Sequence, residues 1–579
     1  MSPRPFLGYT DYFVLGVSLI IPVVIGLKFR NSGGKHASVG EYFLAGRKAG
    51  MFPVVMSASV TCLSAILMIG TPAEVYKYGP IFVYRTFTMA LGQIVAGLVF
   101  LPVYFQCGIS SIYEYLEIRY GKFTRYAIST IFLLQMVLYM CSVKLGPVLA
   151  LNTVTEFSVE AAIIVLGAVC TFYCVVGGLK AVLWGDVFQS GLMFACLIAV
   201  YAVGISEVGG FGEVKRRASA GQRLDFFDFS FDFVTRYTIW NSLARGFTYG
   251  VGYYGTNQME VQRWLSMSSC NRAQRAIKWN ILPVFCLQFL ATMLGIIIFA
   301  VFYLCDPILM SKETGISKYD QIVPYFIISR LHSIPGLTGL CIAGIFSGSL
   351  STMSSALNSL ATVTMVDFVQ PAFPALTKER TIKLSKLLGL FYGLLCIGVT
   401  FIISKTHSIL QTVGTFSSFN EGPVLAIFFI GVLTRKASDK AAFVGLLVGV
   451  CIVGWVGLGA MYGGFRYPTL PLETSGCPAL QNGTAILSSN SAVYIEKLLA
   501  KNNEVFPLYK ISFIWIPALG FLCTVLSVFI ASLFFDRNKN VIPSDSICLS
   551  PVVRWWMKSS PKEETNDNIK EMETKNTEH

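Results

Sequence analysis

Residues 340–368 read LCIAGIFSGSLSTMSSALNSLATVTMVDF, a run long enough to cross a bilayer as a helix yet loaded with hydroxyls and small side chains. At helical spacing Gly344, Gly348, Ser351, Ser355, Asn358 and Thr362 recur at steps of three and four, forming one narrow polar stripe on an apolar rod. Such a stripe faces protein or an aqueous cavity rather than lipid. Close helix packing, with hydroxyls bonded back to their own backbone, accounts for any single serine about as well as ligand binding does. It accounts poorly for so many hydroxyls together.

The surrounding chain is a membrane protein by composition. Of 579 residues, 54% are hydrophobic and only 13% charged, against roughly 25% charged in soluble domains. The first apolar run, 12–27, has no small-residue cleavage signal after it and reads as a retained span. The net charge of +13 is spread through the connections between apolar runs, which fits membrane orientation and gives no reason to invoke nucleic acid. Most of the 15 cysteines lie inside apolar runs without metal-ligand spacing. Cys305 and Cys477 fall in or beside external connections and are the one candidate disulfide.

At roughly 20 residues per crossing, about thirteen spans are expected. They fall near 10–28, 51–71, 81–105, 126–151, 160–178, 186–206, 237–256, 276–304, 336–366, 384–404, 407–432, 440–462 and 511–535. The connections 28–50, 106–125, 257–278 (Arg263, Arg272, Arg275, Lys278), 367–383 and 433–440 are basic and alternate with poorer ones, so they are expected in the cytoplasm. The N-terminus is then extracellular and the C-terminus cytoplasmic. The one glycosylation sequon, Asn482-Gly483-Thr484, falls in the 463–510 loop that this topology places outside. The tail 536–579 reads as disordered and cytoplasmic, with Trp555 and Trp556 placed to touch the inner membrane surface or simply to belong to the tail.

A second polar helix, MFPVVMSASVTCLSAILMIG (51–70), carries Ser57, Thr61 and Ser64. Transporters built from inverted repeats break such helices near the bilayer midplane, exposing carbonyls that coordinate a hard cation, and sodium takes oxygen ligands. Gly348, Ser351 and Thr352, at i, i+3 and i+4, aim one carbonyl and two hydroxyls at one side. Charges inside spans cost roughly 2.5–3.5 kcal/mol on insertion scales, so each needs a reason. Asp186, read at a helix start after GGLKAVLWG, is either a cap or a cation partner. Arg85 and Arg245 have no acid beside them in sequence; each either offers its fork to a carboxylate or pairs with an acid on another helix, Glu421 being the obvious candidate. Lys144 snorkels or pairs likewise. Four scattered histidines and the lack of a Walker-type loop leave no hydrolytic or nucleotide chemistry, so the expectation is no enzyme and an ion gradient as the energy source.

CTFYCVVGGLKAVLWGDVFQ (170–189), GIFSGSLSTMSSALNSLATVTMVDF (344–368), EYFLAGRK (41–48), GTPAEVYKYG (70–79), GISSIYEYLEIRYGK (108–122) and YYGTNQMEVQRW (253–264) occur in order. Together they resemble the sodium/solute symporter family over roughly 10–535, most closely its monocarboxylate, multivitamin and iodide branch. The resemblance implies an all-α polytopic fold with a leucine-transporter-like core of two inverted five-helix repeats, 51–206 and 237–432, joined by an extracellular loop at 207–236. Residues 1–50 precede this core and two further helices within 433–535 follow it. It implies a sodium site from backbone oxygens of Val60 and Leu63 with Gly348, Ser351 and Thr352, Asp186 lying nearby. It also implies a substrate pocket near Leu67, Arg85, Thr86, Arg245 and Asn257. Leu67 stands where sugar and iodide carriers have Gln, Arg245 replaces a small residue, and Glu421-Gly422-Pro423 replaces the branch's common Gly-Gly-Pro.

The reading is therefore a plasma-membrane symporter that couples Na+ entry to a small organic anion, a monocarboxylate or vitamin carboxylate, with no cofactor beyond the coupling ion. Its partners are Na+, the anion and the bilayer. An inorganic anion such as iodide or a neutral solute is the alternative cargo, and a sodium-gated sensor or leak channel the alternative class.

Overall fold

The computed structural model describes residues 7–30, 39–155, 158–403, 409–477, 504–535, 541–543 and 545–553; the sequon at Asn482 and the tail beyond 553 lie outside them. Helix α1 runs Tyr9–Phe29 and α2 Met51–Ala65, continued by a π-wound segment Ile66–Gly70 into α3 Thr71–Tyr78. Then come α4 Tyr84–Val99, α5 Lys122–Val154, α6 Val159–Val208, α7 Ile239–Thr256, α8 Gln258–Leu265 and α9 Cys270–Val301. The later helices are α10 Leu337–Val363, α11 Lys378–Ile403, α12 Ile409–Leu433, α13 Asp439–Tyr462 and α14 Ile516–Phe535. Among the described residues there are no strands beyond an isolated bridge between Lys436 and Val541.

Among the described residues ten helical stretches are long and apolar enough to span a membrane, against about thirteen expected spans at one per roughly 20 apolar residues. The expected pair 160–178 and 186–206 is counted once in α6, whose two helical limbs meet at a break where Gly178 takes φ 60° and ψ −164°. A left-handed backbone of this kind costs glycine little, so the bend sits there. The span expected at 237–256 is helix α7, which is not among the ten, and of α12 only Glu421–Leu433 registers, as a shorter apolar helix.

Helix α10 is the hub. Its apolar window is 94% buried, whereas those of α1 and α14 are 22% buried and lie at the periphery. It packs against α6, α5, α2, α1 and α11. Small residues make this possible: a Cβ on Gly344 would stand 2.5 Å from Cys196 Cβ and 2.8 Å from the Leu192 carbonyl of α6. Helices α13 and α14 pack on each other and on α12.

Both ends of the bundle are tied by buried charge. At one end Cys305 is disulfide-bonded to Cys477, and Arg236 binds Glu74 through a 2.8 Å ion pair while Tyr237 Oη donates to the same carboxylate at 2.7 Å. At the other end Arg125 Nε donates to Asp367 Oδ1 at 2.8 Å, Ser111 Oγ donates to Asp367 Oδ2 at 2.6 Å, and Arg125 also pairs with Glu117. Arg119 donates to the carbonyls of Gly431 and Thr434 at 3.0 and 2.8 Å. Arg119 and Arg125, expected among the water-facing charges of the basic connection 106–125, are buried instead. The connection folds into the helix Ile112–Arg119, which packs on α5.

Removing one partner of a buried ion pair strands the other, at a cost of about 3–5 kcal/mol. Asp367→Ala is therefore expected to lower the thermal unfolding midpoint of the detergent-solubilised protein sharply. Lys383→Ala, which breaks only the exposed pair with Glu379, is expected to leave it unchanged.

Candidate functional site

The site begins with a break. Helix α2 loses helical geometry at Ser64, where φ is 45° and ψ −179°. Carbonyls just before a break lose their partners four residues on and turn to other donors. Thr352 Oγ1, on α10, lies 3.1 Å from the Thr61 carbonyl and 3.0 Å from that of Gly348. The two helices meet this closely because Gly348 has no side chain: a Cβ there would lie 3.0 Å from Ser64 C and Ala65 N. Val60 and Leu63 are buried on α2 just before the break. The Leu63 carbonyl already accepts the N–H of Ile66, so the carbonyl that α10 reaches is that of Thr61.

Around this contact lies a polar cluster. Ser351 Oγ stands 3.0 Å from Thr61 Oγ1, which is 3.4 Å from Ser355 Oγ. Ser57 Oγ donates to Asp186 Oδ2 at 2.5 Å. Asp186 lies well inside the second limb of α6, two turns beyond Gly178, and not at a helix start; it faces the cluster as a cation partner.

The cation it meets is Arg263 of α8, expected in a cytoplasmic connection and found 1% exposed. Its guanidinium donates to Ser57 Oγ at 2.8 Å, to Thr61 Oγ1 at 2.6 Å and to Ser355 Oγ, pairs with Glu260 at 3.0 Å, and lies 3.6 Å from Asp186. Ser355 thus belongs to this network and not merely to helix packing. The signal for Arg263 was present as a Glu-x-x-Arg step, Glu260 to Arg263, on the short helix that follows Asn257.

The cluster's charge is unbalanced. When ionised, Asp186 and Glu260 set two negative charges against one guanidinium. Asp186 Oδ1 and Glu260 Oε1 are both buried without a hydrogen-bond partner among the described residues. A buried charge left unpaired is costly, and a monovalent hard cation among hydroxyl, carbonyl and carboxylate oxygens removes the imbalance. The donor set fits Na+.

The substrate-side candidates lie along a second broken helix. Helix α7 stops at Thr256, Asn257 is extended at φ −105° and ψ 120°, and α8 restarts with Asn257 Oδ1 accepting from the Met259 N–H at 3.0 Å. A cavity of about 30 Å³ opens beside this break, lined by Tyr113, Gln135, Tyr253, Asn257, Glu421 and Val424 among others. It has room for a water or two but not for an organic anion.

Arg245 does not face this space as a free cation, because its Nη1 donates to Glu421 Oε2 at 2.5 Å. Arg85 differs. Its guanidinium stacks on the Phe82 ring at 4.1 Å, and among the described residues it has neither a hydrogen bond nor an ion pair. Thr86 beside it is buried with Oγ1 unpartnered, and Leu67 is buried in the π-wound segment after the α2 break. Lys144 neither snorkels nor pairs: it is fully buried, its Nζ without a hydrogen-bond partner among the described residues.

Residues 42–449 match the Sodium:solute symporter family. The sodium-dependent multivitamin transporter of Oryctolagus cuniculus is 37% identical over 513 residues, spanning 88% of this chain and 79% of its own length. Sodium-coupled monocarboxylate transporter 1 of Homo sapiens is 34% identical over 546 residues, spanning 92% and 88%. Among solved structures, a Na+-coupled sialic acid symporter in a substrate-bound outward-open state superposes with a TM-score of 0.74 at 20% identity, over 92% of this chain and 99% of that one. That likeness concerns the fold alone, while the sequence matches run nearly end to end. The chain belongs to the sodium:solute symporter family.

Proposed function

We propose that this protein couples the entry of Na+ to uptake of a small organic anion, a monocarboxylate or vitamin carboxylate, across the plasma membrane. The observation that carries the anion is Arg85. A cation within a membrane span is normally paired, and Arg85, on the stretch Ile81–Cys107, has only an aromatic face against it. Its planar fork matches a carboxylate. Arg245, neutralised by Glu421, is left to hold α7 to α12. The names of the relatives, which carry monocarboxylates and multivitamins, support the same cargo class. Sodium sits, in this reading, among Thr61, Gly348, Ser351, Thr352 and Asp186, with Val60 and Leu63 on the same stretch of α2.

Orientation follows from chemistry at the disulfide end. A Cys305–Cys477 bridge suits an oxidising compartment, which supports an extracellular disulfide end. Asp11 Oδ1 accepts from the Gly339 N–H at 2.9 Å near the start of α10. In this reading the N-terminus is at the extracellular end and the Arg125–Asp367 end in the cytoplasm. One charge moving through 100 mV supplies about 2.3 kcal/mol, roughly 50-fold accumulation before any concentration gradient is counted.

Uptake of labelled lactate, nicotinate, pantothenate, biotin and iodide, each with and without Na+, tests the reading. Sodium-dependent accumulation of at least one carboxylate is expected. Accumulation of iodide alone, or a sodium current with no solute accumulation, overturns it in favour of an inorganic-anion carrier or a leak channel. Arg85→Gln removes a charge-assisted contact of about 1.5–3 kcal/mol and should raise the carboxylate KM by roughly 10- to 100-fold. Ser351→Ala and Thr352→Ala should each raise the half-saturating Na+ concentration by about tenfold, the equivalent of 1.4 kcal/mol, as read from currents at fixed carboxylate.

A further inference from the structure

We propose that Cys107 and Cys548 form a redox latch, whose oxidation to a disulfide locks the C-terminal segment across one end of the bundle and stops the cavity beside Asn257 from opening there. The inference rests on the reading that the protein is a transporter with that end in the cytoplasm. Residues 541–543 and 545–553, expected in a disordered tail, instead fold back onto the end of α12 that Arg119 also holds. Leu549 and Ser550 are fully buried, and Cys548 is 4% exposed.

The segment grips the end of α12 firmly. The Ser550 N–H donates to the Val432 carbonyl at 2.9 Å. Just beyond α12 the bonds are reciprocal: the Ile542 N–H donates to the Arg435 carbonyl at 3.1 Å, and Arg435 Nε donates to the Ile542 carbonyl at 2.9 Å. The other side of the segment is held less tightly. Tyr115 Oη donates to the Cys548 carbonyl at 3.1 Å, and the Cys107 thiol donates to the Ile547 carbonyl at 3.8 Å. A thiol is a weak donor, so this last contact is easily broken. The same thiol is within hydrogen-bonding reach of the Cys548 sulfur.

Cys107 goes with α7 and not with α12. It ends the helix Leu101–Cys107, whose Tyr104 Oη donates to the Gly255 carbonyl at 2.6 Å, one residue before α7 stops. The cavity beside Asn257 is lined from α7 by Tyr253 and from α12 by Val424. Transporters of this architecture open by rocking one group of helices against another. Widening the cavity toward this end separates α7 from α12, and so carries Cys107 away from Cys548. The weak bonds of the reduced pair yield to that movement. An S–S bond does not.

The pair is also placed to react. The hydrogen bond from Cys107, helped by the charge of Arg119, draws the Cys548 thiol down to about 7 against the effect of burial, which keeps a share of it as thiolate at neutral pH. Cys107 is only half-buried, which gives a small oxidant a way in. Hydrogen peroxide accepts the electron pair of the Cys548 thiolate: an S–O bond forms, the O–O bond breaks and hydroxide leaves. The Cys107 sulfur then displaces a second hydroxide from this sulfenic acid and forms the S–S bond. The two thiol protons convert both hydroxides to water, so two thiols and one peroxide give one disulfide and two waters. Cytosolic disulfides are characteristically transient and redox-sensing, as a latch requires.

Sodium-coupled carboxylate uptake by cells expressing the full chain, before and after hydrogen peroxide and again after dithiothreitol, tests the latch. Peroxide is expected to remove most of the maximal uptake rate and leave the carboxylate KM unchanged, and dithiothreitol to restore the rate. Cys107→Ser and Cys548→Ser should each keep native uptake and lose the peroxide response. Cys396→Ser, which removes the buried thiol 3.5 Å from that of Cys141, should keep the response. After peroxide, mass spectrometry of the full-length protein digested without reduction should show the peptides of Cys107 and Cys548 joined. No joined peptide, a joined peptide with unaltered uptake, or a response lost in Cys396→Ser overturns the latch while leaving transport standing. A joined peptide in a chain that takes up no carboxylate with Na+ upholds the disulfide and overturns the transport reading instead.

Discussion

The structure depends on a break in the backbone at Ser64. Non-helical backbone at membrane depth survives only where protein satisfies its polar groups, and here α10 does so by bringing Gly348 against residues 64 and 65 and Thr352 against the Thr61 carbonyl. The small and hydroxylated composition of α10 follows from this demand. A larger residue at 348 would push α10 off the break, and an apolar one at 352 would leave the carbonyl unmet. The almost complete burial of α10, and its place between α2, α5 and α6, are then consequences of having to reach the break from the inside.

Charge obeys the same constraint. Asp186, Glu260 and Arg263 come from two different helices and are buried together, each supporting the geometry of the others. Such a cluster is weak evidence for stability, since apolar residues of equal volume are often as good. Its two carboxylate oxygens without partners among the described residues are what support the proposal of a cation site here. The paired arginines at the two ends of the bundle differ in this respect. Arg236 and Arg125 meet acids one for one or better and have no orphaned oxygen beside them, as expected of groups that hold helices together.

Much of this was legible in the chain. Hydroxyls and glycines at steps of three and four in 340–368 demanded a non-lipid partner, and Gly348, Ser351 and Thr352 could be singled out by spacing alone. The disulfide partners Cys305 and Cys477 stood out because the other cysteines lay within spans or other connections. The burial of Arg263, Arg119 and Arg125 was not legible, even with the Glu260–Arg263 step in view, for one physical reason: each sits on or beside a short polar helix that looks like a basic loop when judged by hydropathy. Burial of such a segment depends on what folds over it, which periodicity does not report. Gly177-Gly178 reads as a turn between spans and Gly178 does break the helix, but the second limb begins directly after it, which puts Asp186 two turns inside that limb. The partner of Arg245 lies 176 residues away, so local sequence left both of its roles open until the helices were brought together.

The two broken helices also explain how ion and cargo can be coupled. The polar cluster proposed for sodium draws on α2 before its break and on α8 after the break at Asn257, while the cavity beside that break is lined from α7 and α12. Cys62 of α2 lies against Tyr249 of α7, with 4.0 Å between Sγ and Oη, so the two broken helices meet each other. An ion that fixes Thr61 and Arg263 also fixes where Cys62 and Asn257 can stand, and so shapes the cavity lined by Tyr253 and Glu421. By linkage the effect must run both ways: a cargo that orders the α7–α8 break tightens the sodium cluster by the same free energy that sodium lends to the cargo. Coupling then needs no long pathway, because the α7–α8 break borders the cavity through Asn257 and leads within two turns to Arg263 in the cluster.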